Sequence, residues 1–396
     1  MNYLKTLFIS CISALVLAAG FNWFVDPYAM YWSPLVDGLN QLKPEAGNRS
    51  RTSKPYVLSK ITPNTVIVGN SRVEMGLNPS NALLKGSAFN SALPGIGYNQ
   101  QIASALHQID TNPELKHIIL SLDYLDFLYS PSELNTNFTE LNTVYKQRQS
   151  KSNLHTSSAD IAKMLFSLDT IFSSVSTIAK QNSVASSLTP QGFNTAQTFV
   201  TTVKHEGKGP LFKQKLGSIV KRIKNKELRH INMQWKTFGP KFAYLETLIK
   251  SANAKNISLT IFINPYHISY LHLLDELGYW DDFILWKTHL AEFFQAQPTG
   301  GFTAWDFSGI NKYTAEPIGL REPTAEMQWF WEPAHYKASL GDVMLTSLLT
   351  NTKNDALMLD LTLPSAQSQI QLDTQRLKQA KSEWIAVKSA LGLSTF

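Results

Sequence analysis

Three residues of this 396-residue chain have the types and setting to make a nucleophile: Ser71, Glu332 and His335. Ser71 lies in NTVIVGNSRVEMGLNPS (64–80), where an apolar, β-branched run ends in glycine and gives way to Asn70, Ser71 and Arg72. Such a run reads as a buried strand, and open α/β sheets place their chemistry beyond the carboxyl ends of their strands. In QWFWEPAHYKASLGDVML (328–345), Glu332 and His335 are separated by two residues. A turn of that spacing lets the carboxylate steady one imidazole nitrogen while the other takes the proton of a serine hydroxyl. Each residue also has a structural reading. Ser71 fits a turn or helix N-cap, Glu332 a solvated loop, and His335 a satisfied structural histidine.

The elements that would position these groups read as an α/β protein. TVIVG (65–69), SAFNSAL (87–93), HIILSLDYL (117–125), ISLTIFINPY (257–266) and TAWDFS (303–308) have strand composition. Helical patterns such as GYNQQIASALHQI (97–109) and FAYLETLIKSANA (242–254) alternate with them, which predicts a parallel sheet flanked by helices. Residues 130–236 interrupt the alternation. They are rich in Ser, Thr, Asn and Lys, and their length predicts a partly helical insertion or cap rather than a structureless loop. The expected divisions are 1–28, 29–129, 130–236, 237–352 and a helical tail, 353–396.

At 43% hydrophobic and 17% charged, the chain can bury a large core. Its single cysteine, Cys11, excludes intramolecular disulfides and a cysteine-rich metal site, and its short apolar lead-in argues against lipid modification. Residues 6–25 carry no charge, and a helix of ~1.5 Å rise per residue over that stretch spans the ~30 Å of a bilayer core. Lys5 precedes the stretch and Asp26 follows it, which favours the start inside and the body outside, although Arg49, Arg51 and Lys54 reduce the asymmetry. Trp23 falls at the exit interface. A cleaved signal peptide, with Ala18, Ala19 and Gly20 near the cut, and a buried core helix are the rival readings.

The strand ending in G-N-S-R, the turn FNSALPGIGYNQ and the acidic-x-x-His near the end together resemble the SGNH/GDSL hydrolase superfamily. More narrowly, with NWFVDPY (22–28) after the apolar helix, the chain resembles the membrane-anchored extracytoplasmic branch that includes alginate O-acetylation and teichoic acid D-alanine transfer proteins. The likeness covers roughly 20–127 and 240–350. It implies a flavodoxin-like parallel sheet, with Ser71 as nucleophile, His335 as base and Glu332 in the place of the usual Asp. Gly95 or Gly97 matches the glycine whose backbone N–H joins that of Ser71 in an oxyanion hole. The family's G-x-N-D is not matched: Asp123, Tyr124 and Asp126 stand there, leaving Asn99 or Asn90 as the third donor and Asn70 as a loop support.

Asn70, Arg72, His267 and Trp331 are candidate substrate contacts; for His267, in FINPYHISY, a structural role is the alternative. Nine tryptophans include Trp305, Trp329 and Trp331, suited either to stacking on sugar rings or to core packing. The basic segment 204–230, in a chain of net charge +6, suits anionic glycan or phospholipid, or a solvated helix face. No Walker loop, dinucleotide fingerprint or metal cluster occurs, so no cofactor is expected, and charge alone does not support nucleic-acid binding. The resemblance implies a periplasmic or exterior body on an inner-membrane anchor, carrying an acyl group, most simply acetyl, to a cell-envelope or secreted glycan. A membrane-bound O-acyltransferase would then be the acyl donor system. A carbohydrate ester hydrolase is the near alternative, and a non-catalytic glycan-binding or assembly component the distant one.

Overall fold

The computed structural model describes residues 2–135, 156–182, 185–224, 226–230, 239–298, 300–350 and 354–393. In chain order it opens with α1 (Asn2–Val25), α2 (Ser50–Leu58), β1 (Thr65–Val68), α3 (Ser71–Gly76), β2 (Ala88–Asn90), α4 (Tyr98–Thr111) and β3 (His117–Leu122). Helices α5 (Pro131–Leu134), α6 (Ser158–Phe166), α7 (Leu168–Ala179), α8 (Gln197–Glu206), α9 (Lys208–Ile223) and α10 (Pro240–Ala254) follow. The chain then forms β4 (Ser258–Ile263), α11 (Ile268–Glu276), α12 (Trp280–Gln295), β5 (Phe302–Asp306), β6 (Phe330–Glu332) and β7 (His335–Tyr336). It closes with α13 (Ala338–Leu349), β8 (Leu359–Asp360), α14 (Ala366–Gln379) and α15 (Lys381–Ala390).

The chain divides into two compact units: residues 1–62 with 153–197, and residues 63–152 with 198–396. Of the expected insertion 130–236, residues 153–197 therefore group with the first unit, and 130–152 and 198–236 with the second. Its described part is helical over α5 to α9, with isolated β-bridges from Tyr129 to Arg229 and, between α7 and α8, from Leu188 to Asn194. Residues 136–155, 183–184, 225 and 231–236 of that segment lie outside the described residues.

In the first unit, α1 is the one described helix long and apolar enough by itself to cross a membrane. It ends in a tight turn built on Asp26, whose φ of 48° is left-handed. The Asp26 carboxylate accepts hydrogen bonds from the amides of Met30 (2.8 Å), Tyr31 (3.1 Å) and Trp32 (2.8 Å). Lys43, fully buried, donates to Val25 O at 2.7 Å and sits 4.0 Å from Asp26. A buried carboxylate with three amide donors and a cation has its charge balanced, so the turn tolerates its strained backbone.

The second unit is built on a six-stranded sheet in the order β2-β1-β3-β4-β5-β8. The first five strands are parallel, a doubly wound arrangement whose order reverses between β1 and β3. β1 is buried along its whole length, as are all but the first residues of β3 and β4. Strands buried on both faces need continuous apolar runs, which is why these three were legible as such. β8 pairs antiparallel with β5 at the edge and was not expected. β2 stops at Asn90, short of the expected 93.

A buried lysine fixes the tail helices to the sheet. Lys287 on α12 donates to Asp306 at the end of β5 (2.7 Å) and to Asp373 on α14 (2.8 Å), with all three side chains at most 5% exposed. Asp373 also accepts from Ile310 N at 3.2 Å. Removing one member of such a cluster strands the others without compensation. Lys287→Met is therefore expected to cost about 3–5 kcal/mol, seen as a lower guanidinium midpoint for the second unit; an unchanged midpoint would show that the cluster contributes little.

Candidate active site

Ser71 opens α3 where the chain leaves β1. Asn70 is the N-cap: its Oδ1 accepts from Arg72 N at 3.0 Å, which starts the helix at Ser71. Across the site, β6 and β7 form a short antiparallel ribbon in which Glu332 and His335 face each other as cross-strand partners. The ribbon is pinned by Lys337 N to Trp329 O (2.8 Å) and by His267 N to Pro333 O (3.1 Å). Glu332 and His335 thus project from a fixed hairpin.

Ser71 Oγ lies 2.7 Å from His335 Nε2, and His335 Nδ1 is hydrogen-bonded to Glu332 Oε1. Glu332 Oε2 accepts from Ala334 N at 2.9 Å. A carboxylate can only accept, so it holds the proton on Nδ1 and leaves Nε2 to accept from the Ser71 hydroxyl, the tautomer a general base requires. His335 and Glu332 are buried and Ser71 is partly exposed, so the serine is the member open to a reactant.

The close approach of the two halves depends on glycines. A Cβ at Gly76, in α3, would fall within the buried ring of Tyr336, the residue after His335. A Cβ at Gly341, in α13, would fall on the carbonyl of Gly76. With neither Cβ present, the helix carrying Ser71 and the ribbon carrying His335 can meet.

Electrostatics set the protonation states. Burial pushes the Glu332 carboxyl up, but His335, Lys215 and the hydrogen bonds to His335 and Ala334 outweigh it and hold Glu332 at about 2. Burial lowers His335, Glu332 pulls it back, and Lys215 adds to the lowering, so the imidazole stays below its ordinary value and is neutral near pH 7. Lys215 Nζ, on α9, lies 3.7 Å from Glu332 Oε1. Burial in turn lowers the Lys215 ammonium, while Glu332 raises it. Lys215 is the site residue that the sequence did not single out; it stood inside the basic segment 204–230 with no local mark to separate it from its neighbours.

Several other candidates are bound into the framework. Arg72 turns inward and pairs with Asp123 at 2.7 Å, its guanidinium over the rings of Tyr266 (5.2 Å) and Tyr270 (5.8 Å). Asp123 also accepts from Asn70 Nδ2, from Asn264 Nδ2 (3.2 Å) and from Tyr266 OH (2.7 Å). Arg72 and Asn70 are thus spent on the framework rather than offered to a substrate. His267 caps α11: its Nε2–H donates to Glu316 O (2.8 Å) and its Nδ1 accepts from Ser269 (2.8 Å). Burial holds His267 at about 4, so it is a neutral structural group.

Asn90 is likewise committed, its Nδ2 donating to Val73 O and Leu77 O at 2.9 Å each. The turn that follows is drawn to the serine by Leu93 N to Gly69 O, 3.2 Å. In that turn Gly95 is exposed with φ of 60°, a conformation that favours glycine, and Gly97 is the exposed N-cap of α4. Asn99, in the first turn of α4, has a buried Oδ1 with no hydrogen-bond partner among the described residues. Trp331 lies under Lys337 Nζ, 4.0 Å from the ring centre, and stacks on Phe199 (6.0 Å), which also packs on His335 (5.6 Å). Trp305 is a buried β5 residue and Trp329 packs edge-on to Tyr313 (5.1 Å), so both serve the protein's own packing. Among the described residues no group of His, Cys, Asp and Glu could hold a metal ion.

Comparison with known proteins finds no matching family model and no matching curated protein.

The electrostatics predict a pH profile for Ser71. Its reaction with a serine-directed fluorophosphonate requires neutral His335, whose pKa lies below the usual 6.5. Labelling is therefore expected to hold its rate as pH falls through 6.5 and to decline only below that value. Lys215→Met removes a charge that lowers the imidazole, so the decline should move to higher pH. An identical profile in the variant would remove Lys215 from the account.

Proposed function

We propose that this chain is a serine-dependent acyltransferase of the SGNH type, which moves an acyl group, most simply acetyl, onto a hydroxyl of a cell-envelope or secreted glycan. The observation that carries the reading is the hydrogen-bonded series Ser71, His335, Glu332 at the carboxyl end of β1. The motifs of the sequence and a strand order that reverses beside β1 support it.

In this reading Ser71 Oγ attacks the carbonyl of an acyl ester while His335 Nε2 takes the hydroxyl proton. The backbone N–H of Ser71, with that of Gly95 or Gly97, stabilises the tetrahedral oxyanion. His335 returns the proton to the departing oxygen, leaving an acyl-enzyme. An acceptor hydroxyl then attacks, giving its proton to His335, and collapse frees Ser71 and the acylated sugar. Glu332 holds the imidazole tautomer throughout and stabilises the imidazolium. With α1 as an inner-membrane anchor and the second unit on the exterior side, the site would stand beside a membrane-bound O-acyltransferase that supplies the acyl group.

Ser71→Ala and His335→Ala are each expected to lower turnover of an activated ester by ~10³-fold or more, with the double variant scarcely worse, because the residues act as a unit. Glu332→Gln should retain the fold and lose much of the rate through the wrong tautomer. Full activity in folded Ser71→Ala would sink the reading.

Transfer is expected to outrun hydrolysis when an oligosaccharide is bound, since a positioned hydroxyl gains a large effective concentration over water. The test supplies full-length protein with an acetyl ester and a panel of oligosaccharides, and follows acetylated sugar and free acetate by mass spectrometry. Acetate alone with every acceptor, together with stripping of pre-acetylated sugars, would replace the transferase with an esterase.

A further inference from the structure

In the first unit, α7 is built inside out. Its inward positions carry hydroxyls, with Thr170, Ser174 and Thr177 buried, while Leu168 and Phe172 are 70% and 71% exposed and Val175 lies on the same outer stripe. Positions 168, 172 and 175 recur at helical spacing, so they form one continuous apolar face. A helix at a water-facing surface has the opposite arrangement. Small hydroxyl residues toward the neighbouring helix and large apolar ones outward is the pattern of a helix whose surroundings are hydrocarbon.

The neighbour is α1. Ser174 Oγ is bonded to Asn22 Oδ1 (2.9 Å), Asn22 Nδ2 donates to Leu165 O at the end of α6 (2.8 Å), and Tyr28 OH is bonded to Ser173 Oγ (2.8 Å). These contacts fix α6 and α7, bent by 57° at their junction, against the last turn of α1 and the turn that follows it. Trp23, an interface residue by type, is exposed at the same level. Phe166, at the bend, is exposed too. The outer face of α7 and the surface of α1 are thus both apolar and exposed, on helices bonded to each other.

We propose that α6 and α7 form a second membrane element, a bent wedge seated in the interfacial layer of the bilayer beside the exit of α1, with Leu168, Phe172 and Val175 in lipid. The proposal rests on the reading of α1 as a span. It gives the chain an anchor that resists rotation about α1 as well as detachment, and it is independent of any reaction at Ser71.

The test uses full-length protein in phosphatidylcholine–phosphatidylglycerol vesicles with one nitroxide label per chain. Labels are placed on the native Cys11 and, in a Cys11→Ser background, at Leu168→Cys, Phe172→Cys and the exposed control Ile385→Cys; Val175→Cys replaces either of the first two if it fails to fold. Oxygen, which enters lipid, is expected to broaden labels 11, 168 and 172 more than a water-soluble nickel chelate does, with the reverse at 385. Nickel dominance at 168 and 172 with oxygen dominance at 11 would overturn the wedge and leave the span intact. Shielding of 168 and 172 from both reagents would also overturn it, in favour of a protein covering that face. Nickel dominance at 11 would overturn the span and the wedge with it.

Discussion

The second unit's site hangs on one buried ion pair, Arg72 with Asp123. Taking both charges out of water is costly, and the pair is sustainable because the carboxylate is also bonded by Asn70, Asn264 and Tyr266 while the guanidinium lies on two aromatic rings. Those partners come from the turn after β1 and the segment after β4, and Asp123 itself follows β3. Three parallel strand ends are thereby tied at one point, and Ser71, between Asn70 and Arg72, has little freedom to move. Burial of the framework charges is what lets a short polar turn hold a nucleophile in place.

A second constraint is the pairing of like functions with unlike environments. Arg72 and Lys215 both lie near the imidazole and lower its pKa, while Glu332 raises it. Burial, the largest contribution, lowers it too, and the imidazole remains neutral beside an ionised carboxylate. That is the combination a base needs at neutral pH: an acceptor nitrogen ready, and a fixed negative charge waiting for the imidazolium. The proposed function draws on this balance more than on any single hydrogen bond.

Much of this was legible from the sequence, for definable reasons. The buried runs TVIVG and HIILSL declare themselves because a strand covered on both faces is apolar at nearly every position, with only a stray polar residue such as Ser121. Glu332 and His335 stand close in the chain, so their pairing across a turn is readable locally, whereas the short strands β6 and β7 that carry them are not. Arg72 is hard to read locally because a charged residue at a strand end looks the same whether it faces solvent or a buried partner, and Asp123, which claims it, is remote in sequence; of the two roles open to His267, the structure shows the structural one. Lys215 was hidden by its basic surroundings, and β8 by its length, since two residues carry no period. The inside-out face of α7 was missed for a different reason: the segment was weighed as one Ser- and Thr-rich stretch, whereas its meaning lies in which side of the helix each hydroxyl takes.

Glu332 and His335 are three residues apart, but Ser71 precedes His335 by 264 residues. Synthesis at ~5–20 residues per second puts roughly 10–50 s between the appearance of Ser71 and that of His335. Throughout that interval the serine is an ordinary alcohol, without acceptor or fixed charge beside it. In the proposed mechanism the nascent chain is therefore latent by architecture. Under the proposed mechanism the serine gains its proton acceptor only when the later segment carrying His335 has been made.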